Sequence, residues 1–97
     1  MIRLNLPASL ALLVPDDPAR ERRPSTSIVL AASSWTEVVE ELQQRFPQLA
    51  RRVLEDSGRT TEGFVLVVNG EIERDGRPAT GLSSGDEVLI LPQLAGG

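Results

Sequence analysis

One amphipathic helix divides the strand-forming segments of this chain into two groups. The run Ser34-Trp-Thr-Glu37 matches a capping box: the serine hydroxyl can accept from the backbone N–H three residues on, and the glutamate can reach back. A helix is therefore predicted to begin there. The apolar residues that follow recur on one face at helical spacing: Val38, Val39, Leu42 and Phe46. This face is expected to cover a β-sheet formed by the flanking segments.

Two strands are predicted before the helix. The first has alternating apolar residues, typical of a strand with one dry and one wet face: Ile2, Leu4 and Leu6. Pro7 is expected to interrupt the pairing, residues 8–14 to form the exit of this strand, and Pro15 to Pro24 to form a loop. Ser27 to Ala31 is the second predicted strand.

The segment after the helix predicts a second, short helix and three more strands. Pro47 suits the first position of that helix, with Gly58 as a left-handed exit and three residues pointing inward: Leu49, Val53 and Leu54. Phe64 to Val68 is an apolar strand, and Asn69-Gly70 is a strong hairpin signal after it. Glu71 to Glu73 forms a short charged edge strand, and Glu87 to Leu91 forms the last strand. The predicted fold class is α+β.

Composition restricts the possible functions. The 97 residues include no cysteine and no histidine, which disfavours zinc sites, catalytic triads and any enzyme that acts alone. We expect no bound metal or cofactor. The net charge of −4 and the 3% of aromatic residues argue against a nucleic-acid-binding face. No apolar run approaches membrane-spanning length, so we expect a cytoplasmic protein that is a monomer when free.

The last five residues have a composition that folding does not explain. Residues 1–92 are predicted to form the domain and residues 93–97 a flexible tail that ends in Gly96-Gly97. Glycine packs nothing and loses much backbone entropy when it is ordered. Two terminal glycines instead form a slender chain that can thread a narrow cleft and present a carboxylate. This tail is therefore predicted to be a substrate.

Three motifs carry a resemblance that spans nearly the whole chain. They are Val68-Asn69-Gly70, then Leu82-Ser-Ser-Gly85-Asp86-Glu87-Val88, then Leu91-Pro92-Gln-Leu-Ala-Gly96-Gly97. In this order they resemble the ubiquitin-like β-grasp sulfur carriers, which include the molybdopterin synthase small subunit and the carriers of the thiamin and cysteine pathways. The resemblance implies a β-grasp fold: a mixed sheet of four to five strands with one main helix and a short second helix.

The same resemblance implies the chemistry of the tail. An E1-like activating enzyme would use ATP to adenylate the Gly97 carboxylate, and a sulfur donor would convert it to a thiocarboxylate. Leu94, Ala95 and Gly96 would thread into the partner. An acceptor synthase would then take the sulfur for cysteine, molybdopterin, thiamin or a secondary metabolite. The chain would be a protein co-substrate or a non-catalytic small subunit rather than an enzyme.

Strand phase predicts a docking surface for the activating enzyme. Glu87 marks the wet side of the last strand, so Leu89 and Leu91 should face outward while Val88 and Ile90 enter the core. With Phe64 inside, Val65 and Val67 should share that outer face. The alternative is a set of scattered surface apolar residues, which are normal singly. Trp35 is interpreted as a packing residue rather than a binding platform.

Two other functions remain open from the sequence. A ubiquitin-like protein modifier would share the activation step but join Gly97 to lysines of other proteins. A β-grasp interaction module would use no reactive tail. Detection of a thiocarboxylate, of isopeptide adducts, or of neither distinguishes the three hypotheses.

Overall fold

The computed structural model describes residues 1–14 and 25–93. Its elements along the chain are β1 (Ile2–Pro7), α1 (Ala8–Ala11), β2 (Ser25–Leu30), α2 (Trp35–Arg45), α3 (Pro47–Val53), β3 (Phe64–Val68), β4 (Glu71–Glu73) and β5 (Glu87–Pro92). The five strands form one sheet in the order β2-β1-β5-β3-β4.

The centre of the sheet is the parallel pair of β1 and β5, which aligns Arg3 with Glu87 and Asn5 with Leu89. β2 runs antiparallel to β1 on one side, while β3 and β4 extend the sheet antiparallel on the other. The expected mixed sheet with one main helix and a short second helix is confirmed.

The core lies between one face of this sheet and the helices. Val38 and Leu42 of α2, and Leu49 and Val53 of α3, are fully buried. They share one cluster with fully buried residues from four strands: Ile2, Leu4, Leu6, Leu30, Leu66, Val88 and Ile90. Burial of each such side chain stabilises the fold by about 1.5 to 3 kcal/mol, an upper estimate.

The start of α2 follows from its predicted cap. Ser34 Oγ accepts a hydrogen bond from Glu37 N at 3.2 Å, and Glu37 Oε1 accepts one from Ser33 N at 3.2 Å. The glutamate thus reaches one residue beyond the cap itself. Trp35 is half-buried against the core, and its Nε1 donates to the Gly58 carbonyl at 2.9 Å. The packing role expected for Trp35 is therefore confirmed.

Two details near the N-terminus differ from the sequence-based prediction. Pro7 does not interrupt the pairing, because it is the last residue of β1 and still lies opposite Ser25. Residues 8–14 begin with the helix α1 rather than with an irregular exit. The physical reason is burial: Leu10 and Ala11 enter the core, and a helical turn directs both of them there. The second strand also begins two residues earlier than predicted, at Ser25, and ends at Leu30.

The loop after α3 is joined to the loop after β4 at Gly76. Thr60 N donates to the Gly76 carbonyl at 2.8 Å, and Arg59 Nε donates to the Asp75 carbonyl at 2.7 Å. Gly76 has a φ of +73°, and a Cβ there would lie 2.9 Å from Thr60 Oγ1. Glycine is therefore needed at position 76 for two reasons: the backbone φ is positive, and Thr60 leaves no room for a Cβ.

We expect Gly76→Ala to destabilise the protein more than Gly70→Ala. Gly70 also has a positive φ, of +86°, but a Cβ there meets nothing within 4 Å. Left-handed backbone alone costs a non-glycine residue about 1 to 2 kcal/mol. The close contact at Gly76 should add about 1 kcal/mol or more, as overpacking does. Urea denaturation of both variants measures the difference, and equal losses would contradict the steric role of Thr60.

Candidate functional site

An apolar patch lies on the face of the sheet opposite the core. Val65 pairs with Leu91 and Val67 with Leu89 across the antiparallel strands β3 and β5. Residues directly opposite in such a pair place their side chains on the same face. All four residues are partly exposed, whereas Val88 and Ile90 between them are fully buried. The structure thus brings together the four residues that strand phase had assigned to one outer face.

Ile72 belongs to the same patch, although it was not among the residues predicted for it. It pairs with Val67 across β3 and β4, and 69% of its surface is exposed. The signal was available, since the Asn69-Gly70 hairpin places residue 72 opposite residue 67. Glu71 and Glu73 obscured it, because the strand looked uniformly charged. We call these five residues the outer patch: Val65, Val67, Ile72, Leu89 and Leu91.

The outer patch ends at the middle of the sheet. Leu89 lies beside Asn5 of β1, and Asn5 lies opposite Ser27 of β2. The row across the sheet therefore changes from apolar to polar between β5 and β1. This makes the apolar surface one contiguous area over β3, β4 and β5 rather than a scatter of single residues.

The outer patch reaches the end of β5, after which the predicted tail begins. Phe64 and Pro92 are opposite each other where β3 begins and β5 ends, and Gln93 N donates to the Gly63 carbonyl at 2.7 Å. Leu91, the last patch residue along the chain, is two residues from Gln93. The residues assigned to tail threading and activation, namely Leu94, Ala95, Gly96 and Gly97, lie outside the described residues.

The motifs at 69–70 and 85–88 form a clasp that fixes β5 beside β3. Asn69, with a φ of +50°, donates from Nδ2 to Asp86 Oδ1 at 3.1 Å. Its Oδ1 accepts from Glu87 N at 2.9 Å, and its backbone N–H donates to the Glu87 carbonyl at 2.9 Å. Asp86 Oδ2 accepts from Ser83 N at 2.8 Å. This clasp sets the register that aligns Val67 with Leu89.

The clasp also changes the ionisation of Asp86. The hydrogen bond from the Ser83 backbone N–H, and then that from the Asn69 side chain, favour the carboxylate and lower the pKa of Asp86 below its usual value of 3.8.

Two kinds of feature are not found in the part of the chain that the structure describes. No group of three or more histidine, cysteine, aspartate or glutamate side chains within residues 1–14 and 25–93 is placed to hold a metal ion. Among the same residues, no helix is long and apolar enough to cross a membrane.

This architecture is that of a ubiquitin-like β-grasp domain. Its mixed sheet has a parallel pair at the centre, helices packed on one face and the outer patch on the other. The ThiS family model matches residues 17–97, and the chain therefore belongs to the ThiS family. The resemblance to ubiquitin-like sulfur carriers is thereby confirmed. No curated protein sequence matches this chain.

Solved structures with the same fold come from bacteria and archaea. The BexX/CysO complex of Amycolatopsis orientalis contains a chain that is 18% identical, with a TM-score of 0.70 and coverage of 100% of both chains. CysO of Mycobacterium tuberculosis is 21% identical, with a TM-score of 0.70 over 97% of this chain and 100% of that one. SAMP1 of Haloferax volcanii is 22% identical, with a TM-score of 0.60 over 99% and 98%. At these identities the likeness shows the fold alone.

We expect the contribution of Asp86 to stability to depend on pH. Because its pKa is lower in the folded protein than in the unfolded chain, the stabilisation is present above the ordinary value of 3.8. It is lost as the pH falls through the lowered pKa. Asp86→Asn should therefore reduce the melting temperature at neutral pH, and its difference from the wild type should shrink below about pH 4.

The matched control is Asp75→Asn, which removes an exposed carboxylate outside the clasp. Thermal denaturation of the three proteins between neutral and acid pH gives the comparison. A deficit of Asp86→Asn that persists unchanged in acid would contradict the charged role of the clasp.

Proposed function

We propose that this protein is a sulfur carrier whose Gly97 carboxylate is adenylated by an activating enzyme and then converted to a thiocarboxylate. The observation that carries the proposal is the family match, which extends through Gly97 and therefore includes the Gly-Gly tail. The position of the outer patch supports it, because that surface adjoins the root of the tail. A partner can thus dock on the domain and receive the tail at the same time.

The chemistry begins with an unreactive group. A C-terminal carboxylate, with a reference pKa of about 3.3 to 3.7, is an anion at neutral pH and resists nucleophiles. In the activation step a carboxylate oxygen attacks the α-phosphorus of ATP and pyrophosphate leaves, so the product is an acyl-adenylate. A sulfur nucleophile at the oxidation level of sulfide then attacks the acyl carbon and displaces AMP. The thiocarboxylate that results can donate its sulfur to an acceptor.

The groups for these steps are expected to come from partner proteins. The sequence has no phosphate-binding glycine loop, no lysine and no cysteine that could carry sulfur. The Amycolatopsis orientalis structure is a complex of CysO with BexX, which supports a carrier that works bound to another protein. We therefore propose a non-catalytic role for this chain, with an adenylating enzyme and an acceptor synthase as partners.

A protein modifier is the second candidate. Small archaeal modifier protein 1 of Haloferax volcanii, whose name describes a modifier, shares the fold of this chain. Both functions require the same adenylate, and they differ only in the nucleophile that attacks it: a sulfur species in one case and a lysine amine of a target protein in the other. The distinction therefore rests on the product.

The deciding experiment is the intact mass of the protein after co-expression with its activating enzyme and a sulfur source. The carrier function predicts replacement of one terminal oxygen by sulfur. Isopeptide-linked adducts without thiocarboxylate would favour the modifier. Neither product, together with an unaffected tail-deleted variant, would leave only a β-grasp interaction module.

We expect Leu89→Asp to weaken binding of the activating enzyme about tenfold, because a central apolar anchor is worth about 1 to 2 kcal/mol. The fold should survive, since Leu89 points away from the core. Titration calorimetry measures the affinity. Ser27→Asp is the matched control: it adds the same charge to an exposed residue in the same row of the sheet, outside the outer patch. Equal effects of the two changes would contradict the docking role.

Gly96→Val tests the threading role of the tail. The β-branched side chain restricts the backbone and widens the chain next to the reacting carboxylate. A displacement of about 1 Å at a reacting centre costs on the order of a hundredfold in rate, so ATP–pyrophosphate exchange should fall by about that factor. The melting temperature should barely change.

The control for this variant is Gly81→Val. Gly81 is exposed, and a Cβ there meets nothing within 4 Å, so the same side chain is added away from the tail. Exchange by this control should stay at the wild-type rate. A normal rate for Gly96→Val would show that the glycine is not needed for threading.

A further inference from the structure

We propose that Asn69 is a site of spontaneous modification, at which the side-chain amide is converted to a carboxylate, and that the clasp sets the rate of this conversion. Asparagine is a chemically labile residue. The chain has two asparagines, Asn5 and Asn69, and only Asn69 is followed by glycine. Asn69 and Gly70 are both exposed, and a Cβ at Gly70 would meet nothing within 4 Å. The missing side chain leaves the Gly70 nitrogen accessible as a nucleophile.

The reaction needs no partner protein, because both reacting groups belong to the hairpin between β3 and β4. The Gly70 nitrogen attacks Cγ of Asn69 and gives up its proton, the bond from Cγ to Nδ2 breaks, and the amide group leaves as ammonia. The product is a cyclic imide. Water then opens the ring at either of its C–N bonds, which gives aspartate in one case and isoaspartate in the other. The net change is the exchange of NH for O, and it is independent of the proposed function.

The folded hairpin keeps these two groups apart. Val68 pairs with Glu71, so Asn69 and Gly70 form a two-residue turn, and their φ values of +50° and +86° are those of a type I′ turn. The ψ of about +30° that this turn gives its first central residue places the next nitrogen nearly anti to Cβ. An imide ring requires the nitrogen and Cβ on the same side of the Cα–C bond. The ring therefore cannot close until the turn opens.

The clasp opposes that opening. Asn69 Nδ2 donates to Asp86 Oδ1 at 3.1 Å, and Asn69 Oδ1 accepts from Glu87 N at 2.9 Å, so both polar atoms of the reactive amide are bound to the start of β5. The other side of the hairpin gives less support, since β4 is a three-residue strand at the edge of the sheet. A reaction that takes place only in an opened state proceeds in proportion to the population of that state. Loss of the clasp should therefore accelerate the conversion.

Conversion would in turn remove the clasp. An aspartate at position 69 has no Nδ2 donor, and it brings a second carboxylate next to that of Asp86, which repels it. Isoaspartate also inserts an additional carbon into the backbone of the turn. Because the clasp sets the register that aligns Val67 with Leu89, the modified chain would lose the fixed geometry of the outer patch.

The experiment follows the full chain at mildly alkaline pH by mass spectrometry, with fragmentation to locate the exchange of NH for O. The folded wild type should convert at least about tenfold more slowly than the same chain unfolded in guanidinium chloride, which no longer holds the turn. Asp86→Ala should accelerate conversion of the folded protein about tenfold, the effect of losing one hydrogen bond to a charged group. Circular dichroism checks that each variant is folded.

Asp75→Ala is the matched control, because it removes an exposed carboxylate outside the clasp and should convert at the wild-type rate. Asn5 is the internal control: it lies within β1, is followed by Leu6 and should not convert. If Asp86→Ala does not fold, Asp86→Asn takes its place and should accelerate conversion in the same direction.

Equal rates for the folded and the unfolded wild type would overturn the proposal, as would an unfolded chain that does not convert at Asn69. It would also be overturned if the folded Asp86 variant converted no faster than the wild type, or if Asp75→Ala accelerated conversion equally.

Discussion

The rest of the structure depends on the parallel pairing of β1 with β5. This pair joins the first and last strands of the described chain at the centre of the sheet. β2 is added on the β1 side of the pair, and β3 and β4 are added on the β5 side. Its inward residues, among them Leu4 and Val88, are completely buried and form the middle of the core. Because parallel strands run in the same direction, the pair also places the end of β5 at the same edge of the sheet as the end of β1. One set of backbone hydrogen bonds thus organises both the core of the domain and the position at which its last strand ends.

The two faces of β5 separate the core from the outer patch. Val88 and Ile90 face the helices, while Leu89 and Leu91 face outward beside Val67 and Val65. Alternation along a strand makes this division automatic, since each residue serves one face only. Its maintenance depends on register, because a slip of one residue would send the core side chains to the surface. The clasp between Asn69 and Asp86 holds that register at the start of β5. The motif that joins the hairpin to the last strand is therefore structural, and it also positions the outer patch.

Local sequence patterns correctly predicted the helices and strands that have one buried face and one exposed face. The cap at Ser34, the apolar face of α2 and the inward residues of β5 all occur as expected, because burial on one side imposes a period on the sequence. The prediction was wrong for Pro7 and for α1. Proline has no backbone N–H to donate to a neighbouring strand, which suggested that strand pairing would stop before Pro7. There the burial of Leu10 and Ala11 decides the local structure, and four residues are too few to show a helical period. Ile72 was missed for a related reason: in a strand of three residues, two charged neighbours hide an apolar face.

The sequence by itself determined the class of fold, the two faces of the last strand and the Gly96-Gly97 pair on which the predicted tail depends. These properties follow from the order of residues within single segments, through periodicity, turn chemistry and the absence of a Cβ in glycine. Only the tertiary structure decided which distant segments are neighbours: β1 beside β5, and Asn69 in the clasp with Asp86. No local pattern encodes these contacts, because they depend on the strand order and on the parallel register of β1 and β5. The strand order depends on burying the apolar faces of all the strands and helices in one core. That is a property of the folded chain rather than of any one segment.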